Sequence, residues 1–390
     1  MKNITSKIEF WIVLFFIVRL IGITNPPLEV SHNWRQVTGL MVSKNFLDVD
    51  NSILYPRIHD NLGSTGIIGM EFPILNYVHY GISKLLGYTH WYGRIINLII
   101  STLGLFYFSK IISRYFSRKI AFAATLSLAA SIWFIFSRKT MPDTACISVM
   151  FIAIYNFIRY IDTQRLLYLL WFALFSTLAL LIKIPAGIYL VIAVLILMYS
   201  HYNFKKIAAI SMVFVVPLIA TYVWYFMWNP YLSETYGNWY NSGKTILQGY
   251  IEIVSHSQKA FQNFYFHAFT GYTFFVACIA GIILMIVKKQ KLLLFVFTSV
   301  FIVFVLYALK SGYFFYHHNY YIIPFVPIMA LAAGYAIAQI KQKWLFIAII
   351  SFGVSESIAN QQQDFFIKKS ELYKLELLTI ADSISLPQDL

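Results

Sequence analysis

Ionisable side chains are scarce in this chain, and most of those outside short basic clusters fall in a few polar stretches. These are SHNWRQ at 31–36, DVD at 48–50, YPRIHD at 55–60, MEFP at 70–73, SRKTMPDT at 137–144, the solitary Lys183 and SGYFFYHHNYY at 311–321. Glu71, Asp143 and His32 are candidates to take a proton from a hydroxyl nucleophile or to orient it. Arg35, Arg57, Arg138, Lys139 and Lys183 are candidates to steady a leaving phosphate, and guanidinium groups suit bidentate phosphate contact. A base together with a cationic clamp is what direct displacement at a sugar carbon requires. Any one of these cations could simply snorkel to a headgroup; five near one plane favour a phosphate site. Asp143 follows Pro142 at a helix start, where a carboxylate also complements the helix dipole. Beside Arg138 and Lys139 at a membrane surface, the functional reading is preferred. His317, His318, Tyr320 and Tyr321 precede another helix and suit hydrogen bonding to sugar or phosphate. The paired histidines leave a divalent metal as an alternative, with no spaced carboxylate in the same turn to support it. No Walker loop, dinucleotide fingerprint, zincin helix or nucleophile elbow is present.

The elements that must position these groups are hydrophobic. Of 390 residues, 59% are hydrophobic, 18% aromatic and only 12% charged, and the mean hydropathy is +0.68. A soluble protein of this length could not hide so much apolar surface. Repeated apolar runs predict an all-α polytopic membrane protein of about eleven spanning helices. They lie near 10–24, 92–108, 120–136, 144–160, 166–182, 184–200, 207–226, 269–287, 292–309, 322–340 and 344–358. The formal net charge is +14, but the basic residues cluster between apolar runs, so they read as topology signals towards anionic lipid, and nucleic acid is not an expected partner. With a cytoplasmic N-terminus every inner connection receives at least two basic residues, provided that 74–87 does not span. That segment carries Asn76, His79, Ser83 and Lys84 and suits an interfacial helix, as does 34–46. The stretch 246–266 reads as an aromatic surface helix. Cys146 and Cys278 lie in apolar runs and read as packing residues. The first apolar segment ends in GITNPP without a small-x-small cleavage pattern, so it is read as a retained anchor.

This layout predicts a membrane domain over 1–360, with a first outer loop at 25–91, a second at 227–268, and a polar outer tail at 361–390 that could begin a truncated soluble domain. The chain resembles the GT-C glycosyltransferases of the protein-mannosyltransferase and lipid A aminoarabinose-transferase type. The resemblance covers roughly 8–360 and rests on the order HNWRQ, MEFP, YGRIINL, SRKTMPD, LLIKIPAG and HHNYY. It implies a GT-C-like bundle with outer-face interfacial helices, set in the plasma (inner) membrane, with its active site on the non-cytoplasmic face. It further implies transfer, with inversion, from a polyprenyl-phosphate sugar donor to a glycan, lipid or protein acceptor. Asp143 matches the second acidic position, Glu71 the carboxylate before the Pro-helix, and Lys183 the outer-turn lysine. The chain departs from the family at His32, where a catalytic Asp is usual, at Asn33, where Glu is common, and at Phe72, where Lys stands beside the carboxylate. The resemblance therefore leaves the base open among His32, Asp48, Asp50 and Glu71.

Two other classes compete. A transporter or flippase of a lipid-linked saccharide would place polar groups at mid-membrane and show related helix repeats. No repeat is evident, and Arg19 is the main charge within a span. A non-catalytic assembly subunit would tolerate neutral residues at both 71 and 143.

Overall fold

The structure, a computed structural model, describes residues 4–29, 31–59, 65–237 and 243–384. Fourteen helices carry the argument. They are α1 (Ile8–Arg19), α2 (Asn33–Asp48), α3 (Ile74–Leu86), α4 (Tyr92–Tyr115), α5 (Arg118–Ala130), α6 (Asp143–Thr163) and α7 (Leu166–Ile182). They continue with α8 (Ile184–Met198), α9 (Phe204–Tyr236), α10 (Ile246–Ser255), α11 (Thr273–Val287), α12 (Lys291–Ser311), α13 (Val326–Ala338) and α14 (Lys343–Gln361). Among the described residues there is no β-strand, only an isolated bridge between Arg57 and Ile67. The helices α4, α6, α9 and α12 are each long and apolar enough to cross a membrane unaided. The others reach less far, and several expected spans prove shorter than the sequence pattern implied.

The shortening has local causes. The expected span at 120–136 breaks at Ser131, whose backbone turns extended and whose hydroxyl accepts from Trp133 N at 3.2 Å. A separate turn, Trp133–Phe136, then carries the chain to Asp143. The last turn before α13 is a 3₁₀ segment, Asn319–Ile322, followed by Pro327 inside the first turn of the helix. The expected single surface helix at 246–266 is divided at His256 into α10, a short helix Ser257–Gln262 and a π-helical turn Asn263–His267. Both expected interfacial helices do form, as α2 and α3, and they pack on each other beside α4.

The best-buried layer is α4, α5, α6 and α13, whose contacts are built from small residues. In lipid, burial against a neighbour gains no hydrophobic term, so close backbone approach must supply the packing energy. At Gly334 of α13 an added Cβ would lie 2.5 Å from the Ala124 backbone nitrogen of α5, so only glycine admits this approach. At Gly104 of α4 the same construction falls 2.1 Å from Ser148 Oγ of α6. Arg19, the charge expected within a span, is fully buried. Its guanidinium donates to Ser137 Oγ at 2.6 Å and Phe15 O at 2.9 Å, anchoring α1 to the turn that precedes α6.

Candidate active site

The site is assembled at one end of the bundle, where α2, the start of α3 and the two turns leading into α6 and α8 meet. His32 begins this assembly. It is the N-cap of α2 and adopts a left-handed conformation with φ +59°, a region in which His is among the tolerated non-glycine residues. The kink turns α2 so that Arg35, one turn in, reaches Glu71. Arg35 Nη2 donates to Glu71 Oε1 at 2.5 Å. Lys183, the C-cap of α7, donates from Nζ to Asp143 Oδ1 at 2.5 Å and stands 4.0 Å from the same Glu71 oxygen. The result is a four-member chain, Arg35–Glu71–Lys183–Asp143, drawn from four segments widely separated in sequence.

Its members differ in access. The Asp143 side chain is 5% exposed, and its Oδ2 has no partner among the described residues. Glu71 is 19% exposed and faces open space. Burial alone would raise the Glu71 pKa, but the adjacent Arg35 and Lys183 outweigh it and hold the carboxyl down at about 2. Burial likewise opposes charge on Lys183, yet Asp143 and Glu71 raise its pKa above the usual lysine value. At neutral pH Glu71 and Lys183 are therefore both ionised.

Aromatic rings close the other side. Lys183 Nζ lies over the rings of Tyr320 and Tyr321 at 5.0 and 5.6 Å, a cation–π arrangement. His318 stacks on Tyr320 with centroids 5.2 Å apart. Burial, reinforced by the nearby His32, His317, Lys183 and Arg35, pushes the His318 pKa down to about 4. His32 packs edge-on against Tyr320 at 4.8 Å, and its Nε2 is 3.1 Å from Asn319 Oδ1. Burial also lowers the His32 pKa, opposed by the Asn319 contact. Both rings are neutral at pH 7, so they can offer hydrogen bonds but add no charge.

Several of these groups, though not His32 or Asp143, line a cavity of about 740 Å³, within the range of a large ligand site. Its charged end holds Arg35, Glu71, Lys183, Lys310 and His318, with Tyr320 and Tyr321 beside them. Apolar side chains, among them Ile188, Leu190, Leu218, Phe226, Val303 and Leu306, also line it. A second pocket of about 50 Å³ sits on the other side of Arg35 and Glu71, lined also by Asn76, His79, Asn97 and Thr140. Among the described residues no three His, Cys, Asp or Glu side chains gather as a metal cage. The two site carboxylates already have ammonium or guanidinium partners.

The remaining expected site residues lie elsewhere. Arg57 pairs with Asp50 at 3.1 Å and donates to Thr65 O, shaping the first loop. Asp48 pairs with Lys44 at 2.7 Å. Arg138 is buried, donating to Ile21 O at 2.6 Å and Asp364 O at 3.2 Å over the Phe365 ring. Lys139 binds Asp364 Oδ1 at 3.0 Å and Ser31 O at 2.9 Å. His317 turns outward onto Tyr313. All have partners of their own, and none lines the large cavity.

Several positioning residues escaped the sequence reading. Glu29, fully enclosed, pairs with Arg94 and accepts from Gln36 Nε2 at 2.8 Å. This locks the chain just before His32. Trp224 Nε1 and Asn229 Nδ2 of α9 both donate to Met70 O, at 2.9 and 2.8 Å, while Phe72 N donates to Leu181 O at 3.1 Å. Glu71 is thereby held by its own backbone neighbours. Phe72 packs edge-on against Trp224 at 4.8 Å. Trp224 sits in a π-helical stretch, Val223–Trp228, an irregularity often found at functional sites. The only sequence signal for it was the aromatic run VWYFMWNP.

Comparison with known proteins agrees with this geometry. Residues 71–227 match the family model described as dolichyl-phosphate-mannose-protein mannosyltransferase. That stretch opens at Glu71 and contains Asp143, Lys183 and Trp224. No individually curated protein matches the chain. Two crystal structures of ArnT from Cupriavidus metallidurans, one bound to undecaprenyl phosphate and one in the apo state, share the fold with a TM-score of 0.53 at 15% identity. Each superposition covers 85% of this chain and 60% of ArnT, so the chain spans well under the full length of the proteins it matches. Residues 71–227 are thus similar to this mannosyltransferase family, and the all-α fold of the chain is the one ArnT shares.

Proposed function

We propose that the protein is a membrane glycosyltransferase that moves a sugar from a polyprenyl-phosphate donor to a cell-envelope acceptor. The observation that carries this reading is that one cavity of about 740 Å³ is lined both by Arg35, Lys183 and Glu71 and by a larger set of apolar side chains. A long prenyl chain fits the apolar part, and a phosphate with its sugar fits the charged head. ArnT, which shares the fold, is solved bound to undecaprenyl phosphate, and this supports the same donor class here.

The geometry supports a single displacement with inversion. The acceptor hydroxyl attacks the anomeric carbon as the bond to the lipid phosphate breaks, and the hydroxyl proton passes to a carboxylate. Glu71 is the best placed for that proton, because it lines both pockets whereas Asp143 is enclosed behind Lys183. At rest its two cationic neighbours make it a weak base. As negative charge builds on the leaving phosphate, Arg35 and Lys183 are drawn towards it, and the proton affinity of Glu71 rises in step. Asp143 then acts as the positioning residue for Lys183. His32 orients Tyr320 and Asn319, and Tyr320, Tyr321 and His318 contact the sugar phosphate.

The positive-inside pattern supports a cytoplasmic N-terminus in a plasma membrane, with this site on the non-cytoplasmic face. The test is mass spectrometry of lipid-linked sugars and surface glycans in cells with wild-type protein, Glu71→Gln protein and none. Accumulated polyprenyl-phosphate sugar together with a missing surface sugar is expected in the last two. Movement of an intact lipid-linked saccharide across vesicles, without bond cleavage, would instead favour a flippase.

A further inference from the structure

The charges of the site head cancel. Arg35 is committed to Glu71 at 2.5 Å and Lys183 to Asp143 at 2.5 Å. His318, with its pKa pushed down to about 4, is neutral at pH 7. A phosphorylated lipid entering this cavity would therefore meet two cations already neutralised. The remaining cation among the described lining residues is Lys310, for which no carboxylate partner is present among the described residues.

Lys310 stands at the outer end of α12, and its own helix supplies one face of the cavity wall. Val303, Leu306, Tyr307, Lys310 and Ser311 all line the cavity. Their spacing of three and four residues puts them on one helix face. From Val303 to Lys310 the rise is roughly 10 Å at about 1.5 Å per residue. The stripe runs from branched apolar side chains through a tyrosine to an ammonium, which is the order of a prenyl chain followed by its phosphate. The Lys310 carbonyl accepts from Lys244 N at 2.9 Å, which fixes the helix end beside the second outer loop. Position 72, next to Glu71, supplies no charge: Phe72 is packed on Trp224.

Resting on the donor class proposed above, we propose that Lys310 is the counter-charge of the donor's phosphate and a specificity-determining residue for phosphorylated over neutral polyprenyl lipids. The phosphodiester of a donor carries one negative charge, which this one uncompensated cation matches. Release of the sugar leaves a phosphomonoester of greater charge, so Lys310 favours the product side of the bond cleavage. Lysine in a last turn also complements the helix dipole, a role indifferent to the lipid's headgroup.

The two roles separate in a binding experiment. Full-length protein in nanodiscs of zwitterionic lipid is titrated with undecaprenyl phosphate and with undecaprenol, binding being read by native mass spectrometry. The wild type is expected to prefer the phosphate. Lys310→Gln should lose roughly tenfold or more in affinity for undecaprenyl phosphate, the loss of a charge-assisted contact, with undecaprenol binding unchanged. Lys310→Arg should stay close to wild type and shows that the position tolerates change. Equal affinity of Lys310→Gln and wild type for undecaprenyl phosphate, with the wild type still preferring phosphate, overturns the role of Lys310 alone. A parallel loss for both lipids assigns Lys310 to helix integrity and also overturns it. A wild type indifferent to the phosphate overturns the donor reading itself.

Discussion

Replacing Lys183 by Met should strand Asp143, and the size of the penalty can be worked from the pair itself. The ammonium and carboxylate are 2.5 Å apart with side chains 13% and 5% exposed, so solvent screens them little. At an effective dielectric of about 20, unit charges at roughly 4 Å interact by about 4 kcal/mol. Breaking such a pair by removing one partner costs roughly 3–5 kcal/mol. Methionine keeps the apolar contact with Tyr320 and Tyr321, so the loss reports charge more than volume. Because Asp143 Oδ2 already has no partner among the described residues, no second donor is on hand to take over. Asp143→Asn in the same background removes the stranded charge and should recover roughly 2 kcal/mol. The assay is a double-mutant cycle on reconstituted protein, following denaturant unfolding by tryptophan fluorescence at pH 7. If the two substitutions add to within about 0.5 kcal/mol, the pair is not coupled and the electrostatic account of this turn is wrong.

Glu71→Gln should lower transfer by roughly 10²–10⁴-fold, the usual worth of a positioned base, with donor binding retained; full activity in a reconstituted transfer assay would remove Glu71 from the mechanism. Gly334→Ala forces a Cβ to within 2.5 Å of the Ala124 nitrogen and should cost roughly 1–3 kcal/mol through overpacking; an unchanged unfolding midpoint would mean that α5 and α13 can part freely. His318 has a folded pKa of about 4 against a usual 6.5, so below pH 6.5 the unfolded chain binds the extra proton first. Stability should therefore fall as pH drops from about 6.5 to 4, and His318→Gln should flatten that slope, which unfolding midpoints across the window will report.

The helices and the side chains that face the cavity were legible to different degrees. Apolar runs located the spanning helices, because the requirement to satisfy every backbone group in lipid leaves few alternatives. Breaks set by a single hydroxyl or one backbone angle, at Ser131 and His256, left no trace in hydrophobicity. Glu71, Asp143 and Lys183 stood out as charges at helix ends on one expected face, and the structure brings them together. Arg57 and Arg138 carried the same signal yet turn to other partners, since outer-face position does not reveal where a long side chain points. Glu29 went unnoticed because it sits in an ordinary polar stretch, and only the fold reveals that Arg94 encloses it. Lys310 falls between the expected helix at 292–309 and the polar stretch at 311–321 and drew no reading, because its place on the cavity wall depends on the rotation of that helix.

The arginine at 138 has a consequence for how the molecule is fastened. Its guanidinium takes the carbonyl of Ile21, just beyond the first helix, and that of Asp364, just beyond the last. Lys139 beside it repeats the arrangement with Ser31 and Asp364. The two extremities of the bundle are thus buckled onto one central loop, and that loop leads directly into Asp143. Trimming the chain ahead of residue 362 would undo the buckle and slacken the mount of a carboxylate more than two hundred positions upstream, so a segment that never enters the cavity would govern how firmly its chemistry is held.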